Sequence, residues 1–340
     1  MPHRSPVRSI PLTRSIVLAP FVAFLDQGGA STRRHLRDTR IDPEILRSPE
    51  SFLALQQAAW FVERAGRREG VEDFGLQVGA ASSILDLGLF GDVLARSLTL
   101  RDVVLKLIRW APILNSGLEV SAVNCDEDTV EVRLRERIEN SRQHADDFCL
   151  MLLLDAIRLA LGSEWRPREV KLSEQSFRFS GRYEIFSEAR CLPSFEYMSV
   201  RLPKVALNEP LPARLRATSG DPEQSLQQTS PTTDFAASLA QVVESMIGVE
   251  PPTIETSAEI ATISVRTLQR RLAARATTFE EVVDRVRFEK AIALMAQPDH
   301  KLDHIAARLG YSDLPNFSRA FRRWTGVAPG HFRKTRWAIG

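Results

Sequence analysis

Two stretches of this chain repeat one pattern, and the repeat restricts what the C-terminal third can fold into. Pro252 to Leu272 reads PTIETSAEIATISVRTLQRRL, and Lys301 to Phe321 reads KLDHIAARLGYSDLPNFSRAF. At an offset of 49 residues, Ser264 aligns with Asp313, Leu268 with Phe317, Arg270 with Arg319 and Leu272 with Phe321. Each copy predicts a short helix with small or aliphatic inward positions (Ala258, Ala261; Ala306, Leu309), then a turn and a second helix. Small side chains let two helices cross closely at a steep angle, as a helix-turn-helix requires. Each second helix has one apolar side (Leu268, Leu272; Phe317, Phe321) and one side rich in hydrogen-bond donors.

The segment between the copies predicts one long helix, Phe279 to Ala296. Thr278 and Glu281 form a capping box at its start, and Pro298 is a stop signal after it. Asp234 to Met246 also has helical periodicity. From Thr262 to Arg336 there are 15 Lys and Arg against 7 Asp and Glu; the rest of the chain holds 30 against 36. Such asymmetry points to an anionic partner for the basic segment. Each base pair shows the major groove a distinct set of donors and acceptors, and a helix fits that groove. Arg suits guanine, and Gln and Asn suit adenine. Arg266, Gln269 and Arg270 supply such groups in the first copy, and Asn316, Ser318, Arg319 and Arg322 in the second. Basic residues further along, Arg271, Arg322 and Arg323, suit phosphates.

The remainder reads differently. Ala217 to Asp234 is rich in Ser, Thr, Gln and Pro with one Leu, so a flexible linker is expected there. Before it, Thr99 caps a helix to about Trp110, with Asp102 in the return position and Pro112 as the stop. Leu118–Ala122 and Val130–Leu134 alternate around CDED, predicting an antiparallel hairpin. Asp146 to Leu161 predicts an apolar helix ended by Gly162, and Val170–Ser173 and Ser199–Leu207 are strand candidates. Arg4, Arg8 and Arg14 before the apolar stretch Ile16 to Leu25 share the layout of an export signal, but Asp26 and Gln27 suit the end of a buried helix, which is the expectation. No apolar run is long enough to span a membrane. Three widely spaced cysteines, Cys125, Cys149 and Cys191, fit a reduced cytosolic compartment. The expected fold class is α+β, a mixed α/β domain followed by an all-α domain with two helix-turn-helix units.

Further residues narrow the C-terminal reading. Pro252 to Arg333 closely resembles the DNA-binding domain of the AraC/XylS family of bacterial transcription regulators. The resemblance rests on SVRTLQRRL, Ile305-Ala306, Gly310-Tyr311, Phe317, Phe321, Gly326, Pro329, Phe332 and Arg333. It implies two helix-turn-helix units on one linking helix, inserted into successive major grooves on one face of DNA. It carries base-contact roles to Arg266, Gln269 and Arg270, and to Leu314, Pro315, Asn316, Ser318 and Arg319. Three departures stand out. Thr262 replaces the usual turn glycine, and a β-branched residue is poor at positive φ. Lys301 replaces a capping Ser and cannot accept the cap hydrogen bond. Leu314 and Pro315 offer bases only apolar contact or shape readout. Ile16 to Leu211 resembles, less specifically, the long N-terminal effector domain of one family branch, through FGLQVGAASSILDLGLFGDVLARSLTLRDVVLKLIRW and DTVEVRLRE. That resemblance implies ligand sensing and dimerisation without naming the ligand.

Other clusters carry less. His144, Asp146, Asp147 and Cys149 read as an acidic helix start rather than a site, and His300 with His304 lacks a third ligand. Phe177, Phe179, Tyr183, Phe186, Phe195 and Tyr197 read as core or as pocket lining; Arg178, Arg182 and Arg190 as surface or as partners of an anionic effector. No Walker loop, nucleophile elbow or HExxH motif occurs, so no enzyme, cofactor, catalytic residue or metal site is expected. The expectation is an effector-sensing and dimerisation domain over 1–216, a linker over 217–234 and a double helix-turn-helix domain over 235–340. Its expected partners are double-stranded promoter DNA, a small-molecule effector, RNA polymerase and a second copy of the chain, with no membrane. An interaction module with an acidic protein partner, and an enzyme tethered to DNA, are the competing readings.

Overall fold

The computed structural model describes residues 9–136, 143–216, 220–297 and 299–337. They fall into two units. A mixed unit takes Pro11–Thr39 and Leu46–Pro231; a helical unit takes the chain from Thr232 onward, together with Arg40–Ile45 and the residues up to Ile10.

Alternating apolar residues build the sheet of the mixed unit. A short pair, β1 (Leu12–Arg14) and β2 (Phe52–Ala54), stands apart from five strands, β3 (Leu118–Asn124), β4 (Thr129–Glu136), β5 (Glu169–Leu172), β6 (Arg190–Pro193) and β7 (Met198–Pro203). Their order is β3-β4-β7-β5-β6, antiparallel except for β5 with β6. The expected hairpin forms with Val120 opposite Leu134 and Ala122 opposite Val132. Asp126 closes its turn, accepting the N–H groups of Asp128 and Thr129 at 2.9 and 2.7 Å. Around the strands lie α1 (Ala19–Gln27), α2 (Thr32–Asp38), α3 (Leu55–Glu69), α4 (Phe74–Ala80), α5 (Gly88–Ala95), α6 (Leu100–Leu114), α7 (Gln143–Leu161), α8 (Glu174–Phe177) and α9 (Pro222–Gln228). Helix α7 has no exposed residue along its length, and α4 lies tightly against it. A Cβ on Gly75 would sit 2.0 Å from the His144 carbonyl oxygen, and one on Gly79 2.5 Å from Met151. Among the described residues no helix is long and apolar enough to cross a membrane.

Four expectations change in this unit. Helix α6 continues past Pro112 to Leu114, because a proline one turn from the end removes a single hydrogen bond while Trp110, Ala111 and Leu114 are buried. Asp102 accepts the N–H of Leu98 at 3.0 Å, outside the expected capping box. The last strand ends at Pro203 and passes into a 3-10 turn over Lys204–Asn208. Part of the expected flexible linker is helix α9, capped by Asp221 and anchored by buried Leu226. The buried guanidinium of Arg14 donates to the Thr229 carbonyl at 2.8 Å and pairs with Glu50, and with buried Pro222 and the Lys106–Glu223 pair at 3.4 Å it helps Leu226 hold the segment. Arg14 thus belongs to the core. Arg4, Arg8 and residues 217–219 lie outside the described residues. The stretch Ile16 to Leu25 supplies the expected buried helix through Phe21 and Leu25 of α1.

The helical unit contains α10 (Phe235–Met246), α11 (Ile254–Ile260), α12 (Val265–Ala273), α13 (Phe279–Met295), α14 (Leu302–Arg308), α15 (Leu314–Thr325) and α16 (Pro329–Trp337). The expected Thr278 cap forms, and three more helices are capped in the same way. Thr253, Ser264, Thr278 and Asp313 each accept a backbone N–H, and Glu281 returns to the Thr278 N–H at 2.9 Å. Thr262 has φ +54°, the strained turn conformation expected of it, and Lys301 makes no side-chain cap bond. Pro298 lies outside the described residues.

A short segment distant in sequence braces this unit. Arg40, at φ +58°, pairs with Glu250 at 2.8 Å and with Glu259 on α11 at 2.9 Å. Asp42 pairs with Lys290 on α13 at 3.3 Å, and its N–H donates to the Ser245 carbonyl at 2.7 Å. Glu44 pairs with Arg308 on α14 at 2.9 Å. Gly248 makes room for this: a Cβ there would lie 2.1 Å from the Asp42 carboxylate. Arg40–Ile45 therefore touches both helix-turn-helix units and the helix between them.

The His144 cluster is structural. His144 donates its N–H to Glu63 at 2.7 Å, and the Ser176 hydroxyl donates to Asp147. Burial, with Glu63 and Asp73 nearby, pushes Asp147 up to about 7 although the Ser176 bond pulls the other way. Cys149 is half-buried, and desolvation raises its thiol. Of the aromatic residues, Phe179 and Phe186 are buried, Phe177 and Phe195 exposed, and the Tyr183 hydroxyl donates to Asp73 at 2.8 Å.

Two outcomes follow. A carboxyl whose folded pKa is raised contributes its full stability below the unfolded value near 4 and loses it as pH rises through about 7. Asp147→Asn should therefore gain stability over the wild type between pH 4 and pH 8, by up to a few kcal/mol; a difference in unfolding free energy that stays flat with pH contradicts this. Asp42→Ala should lower the opening free energy around Lys290 by about 1–3 kcal/mol, read as faster hydrogen exchange in α13 peptides while β3 and β4 peptides stay unchanged. Unaltered exchange in α13 contradicts the brace.

Candidate nucleic-acid interface

Each second helix is oriented by the burial of one side. Leu268 and Leu272 of α12 are fully buried, as are Phe317 and Phe321 of α15. In the second unit these phenylalanines pack with Ile305, Ala306 and Leu309 of the α14 region and with Ala291, Leu294 and Met295 of α13, flanked by Phe288, Trp324 and Phe332. The side chains opposite the buried face must then point to solvent.

On α12 the outward residues are Arg266, Gln269 and Arg270. All three are exposed, and none has a polar partner among the described residues. The Ser264 hydroxyl caps the helix by accepting the Thr267 N–H at 3.2 Å. Unpaired donors near a capped N-terminus are what a base edge requires. Arg271 is placed differently. Its guanidinium lies 5.2 Å over the Phe235 ring, partly buried, and desolvation lowers its pKa. It serves the packing of α12 on α10. Arg275 likewise lies over Phe235 and pairs with Asp234 at 2.6 Å.

On α15 the polar side is already knitted together. Asp313 accepts the Asn316 N–H at 2.6 Å. The Asn316 amide donates to Ser312 at 2.9 Å and to Asp313 at 2.8 Å, and accepts from Arg319. Leu314 and Pro315 are exposed at the first turn, and Ser318 is half-buried. Arg322 is exposed without a polar partner among the described residues, whereas Arg323 pairs with Asp284 of α13 at 2.6 Å. The structure thus gathers Arg266, Gln269 and Arg270 on one exposed face. It gathers Leu314, Pro315, Asn316, Arg319 and Arg322 on another, and ties Arg271 and Arg323 into the unit's own packing.

Two cations escaped the sequence reading. Arg285 of α13 is exposed with no polar partner among the described residues, and Arg287 lies 4.9 Å over the Tyr311 ring. The charge count included both; only packing separates the free one from the stacked one. The His300 and His304 rings are 5.5 Å apart, and no group of three His, Cys, Asp or Glu suited to a metal occurs among the described residues.

Comparison with known proteins agrees with this layout. Residues 257–335 match the model of a helix-turn-helix domain, and residues 29–210 match the arabinose-binding domain of AraC transcription regulator, N-terminal. Over 333 residues the chain is 25% identical to the ornithine utilization regulator of Pseudomonas aeruginosa, covering 96% of each chain. The HTH-type transcriptional regulator VqsM of the same organism is 40% identical over 84 residues, covering 25% of this chain and 26% of VqsM. Among solved structures, the transcriptional regulator CdpR from P. aeruginosa covers 94% of this chain and 98% of its own at 19% identity and a TM-score of 0.41. The chain belongs to the AraC family of transcription regulators, non-enzymatic proteins that join an effector-binding N-terminal domain to a helix-turn-helix DNA-binding domain.

Proposed function

We propose that the protein reads promoter DNA by placing α12 and α15 in two successive major grooves on one face of the duplex, and alters transcription when a small molecule occupies its mixed unit. The observation that carries this reading is the pair of exposed second helices, each anchored by a buried apolar face, with one 17-residue helix, α13, between their units. The two helices do unequal work. Helix α12 presents three unpaired donors and reads bases by hydrogen bonding. Helix α15 presents Leu314 and Pro315 first, which suit thymine methyls and groove shape. Asn316 and Arg319 must exchange their mutual bond for contacts with DNA, so their net gain is smaller. Arg322 and Arg285 hold phosphates.

The relative named for ornithine utilization, matched over nearly the whole chain, supports a small metabolite as effector. The ligand acts by binding one arrangement of the protein more tightly than another. Activation through contact with RNA polymerase, function as a homodimer and action in the cytoplasm complete the proposal.

Binding of the full chain to its promoter fragment, followed over a salt series, tests it. Arg270→Ala should cost about 1–3 kcal/mol on the native site and relax the preference at one base pair. Arg322→Ala should weaken all sequences alike and reduce the slope of log K against log salt by about 1. Equal weakening by Arg270→Ala on all sequences, or no salt dependence at all, contradicts the proposal.

A further inference from the structure

The mixed unit contains a concavity of about 890 Å³ between the end of α3, the start of α7 and the region following α8. Arg67 and Arg178 line it, both exposed; Arg67 lies within electrostatic reach of Glu63 in the same wall, and Arg178 has no polar partner among the described residues. Gln143 lines it too, and the Nε2 of its amide is buried with no acceptor among the described residues. Arg182 and Arg190, which share the sequence neighbourhood of Arg178, are occupied instead: Arg182 lies 3.7 Å from Asp73 and Arg190 3.5 Å from Glu169. Two exposed guanidiniums, Arg178 without a partner, and an orphaned amide donor in one concavity match a carboxylate, which accepts several charge-assisted hydrogen bonds at once.

The same concavity holds the opposite charge. Glu63 is almost buried in its wall, held by the N–H of His144 at 2.7 Å, and Glu72 is exposed with no polar partner among the described residues. His144 contributes no charge at neutral pH, because burial pushes it down to about 4. A plain carboxylate would leave Glu72 unanswered and would crowd Glu63, and a plain amine would face two guanidiniums. A ligand carrying both charges, on two groups attached to one carbon, satisfies each side.

We propose that this concavity is the effector site and that it takes a free α-amino acid, with the carboxylate on Arg67, Arg178 and Gln143 and the ammonium on Glu63 and Glu72. The proposal rests on the reading of the mixed unit as a small-molecule sensor and adds the place and the ligand class.

Calorimetric titration and thermal unfolding of the full chain test it, with L-ornithine and the standard L-amino acids as probes and acetate and methylamine as half-molecules. At least one amino acid should bind and raise the unfolding midpoint, with both half-molecules weaker by about tenfold or more. Arg178→Gln and Glu72→Gln alter exposed side chains, so the fold should persist, and each should weaken binding by about tenfold or more. Absence of binding by every amino acid, binding of acetate as tight as that of the amino acid, or binding unchanged in both variants overturns the proposal. Promoter binding by the same preparations separates the two readings: if it persists while no amino acid binds, the site assignment fails and the regulator reading stands.

Discussion

A helix can leave its hydrogen-bond donors facing water only if the rest of it is fixed elsewhere. In this protein that fixing is the burial of two side chains on each second helix, Leu268 with Leu272 and Phe317 with Phe321. Each fully buried side chain of this kind contributes about 1.5–3 kcal/mol, more than an exposed ion pair on the same helix. Packing therefore sets the rotation of α12 and α15, and rotation decides which cations stay free. Arg270 and Arg271 show the consequence. They are neighbours in sequence, yet one meets solvent and the other lies over Phe235.

The spacing of the two helices has its own supports. Helix α13 runs between the units, and the Arg40–Ile45 segment ties Glu259 of the first, Lys290 of α13 and Arg308 of the second. On both sides of this segment the chain belongs to the mixed unit, so a brace of the helical unit is joined covalently to the mixed unit at both of its ends.

Much of this was legible from local signals. The Thr278 capping box, the apolar periodicity of α13 and the doubled pattern are properties of a few consecutive residues, and the structure keeps them. Even the strain at Thr262 follows from one side chain in one turn. What escaped depends on partners far away. Asp42 meets a lysine 248 positions on, and Arg14 meets a carbonyl 215 positions on. Nothing near either residue announces the pairing. The same holds for α9, whose composition predicts disorder until the buried Arg14 and Leu226 are counted. In the mixed unit, Arg178, Arg182 and Arg190 look alike in sequence, and only the positions of Asp73 and Glu169 separate the free cation from the paired ones.

The central claim is geometric: two helices engage one face of DNA in adjacent grooves. Chemical footprinting of guanine N7 with the full chain bound to its promoter tests it directly. The account predicts two protected major-groove clusters centred about 10–10.5 base pairs apart on the same face. A single protected cluster, or two clusters on opposite faces of the duplex, would contradict it.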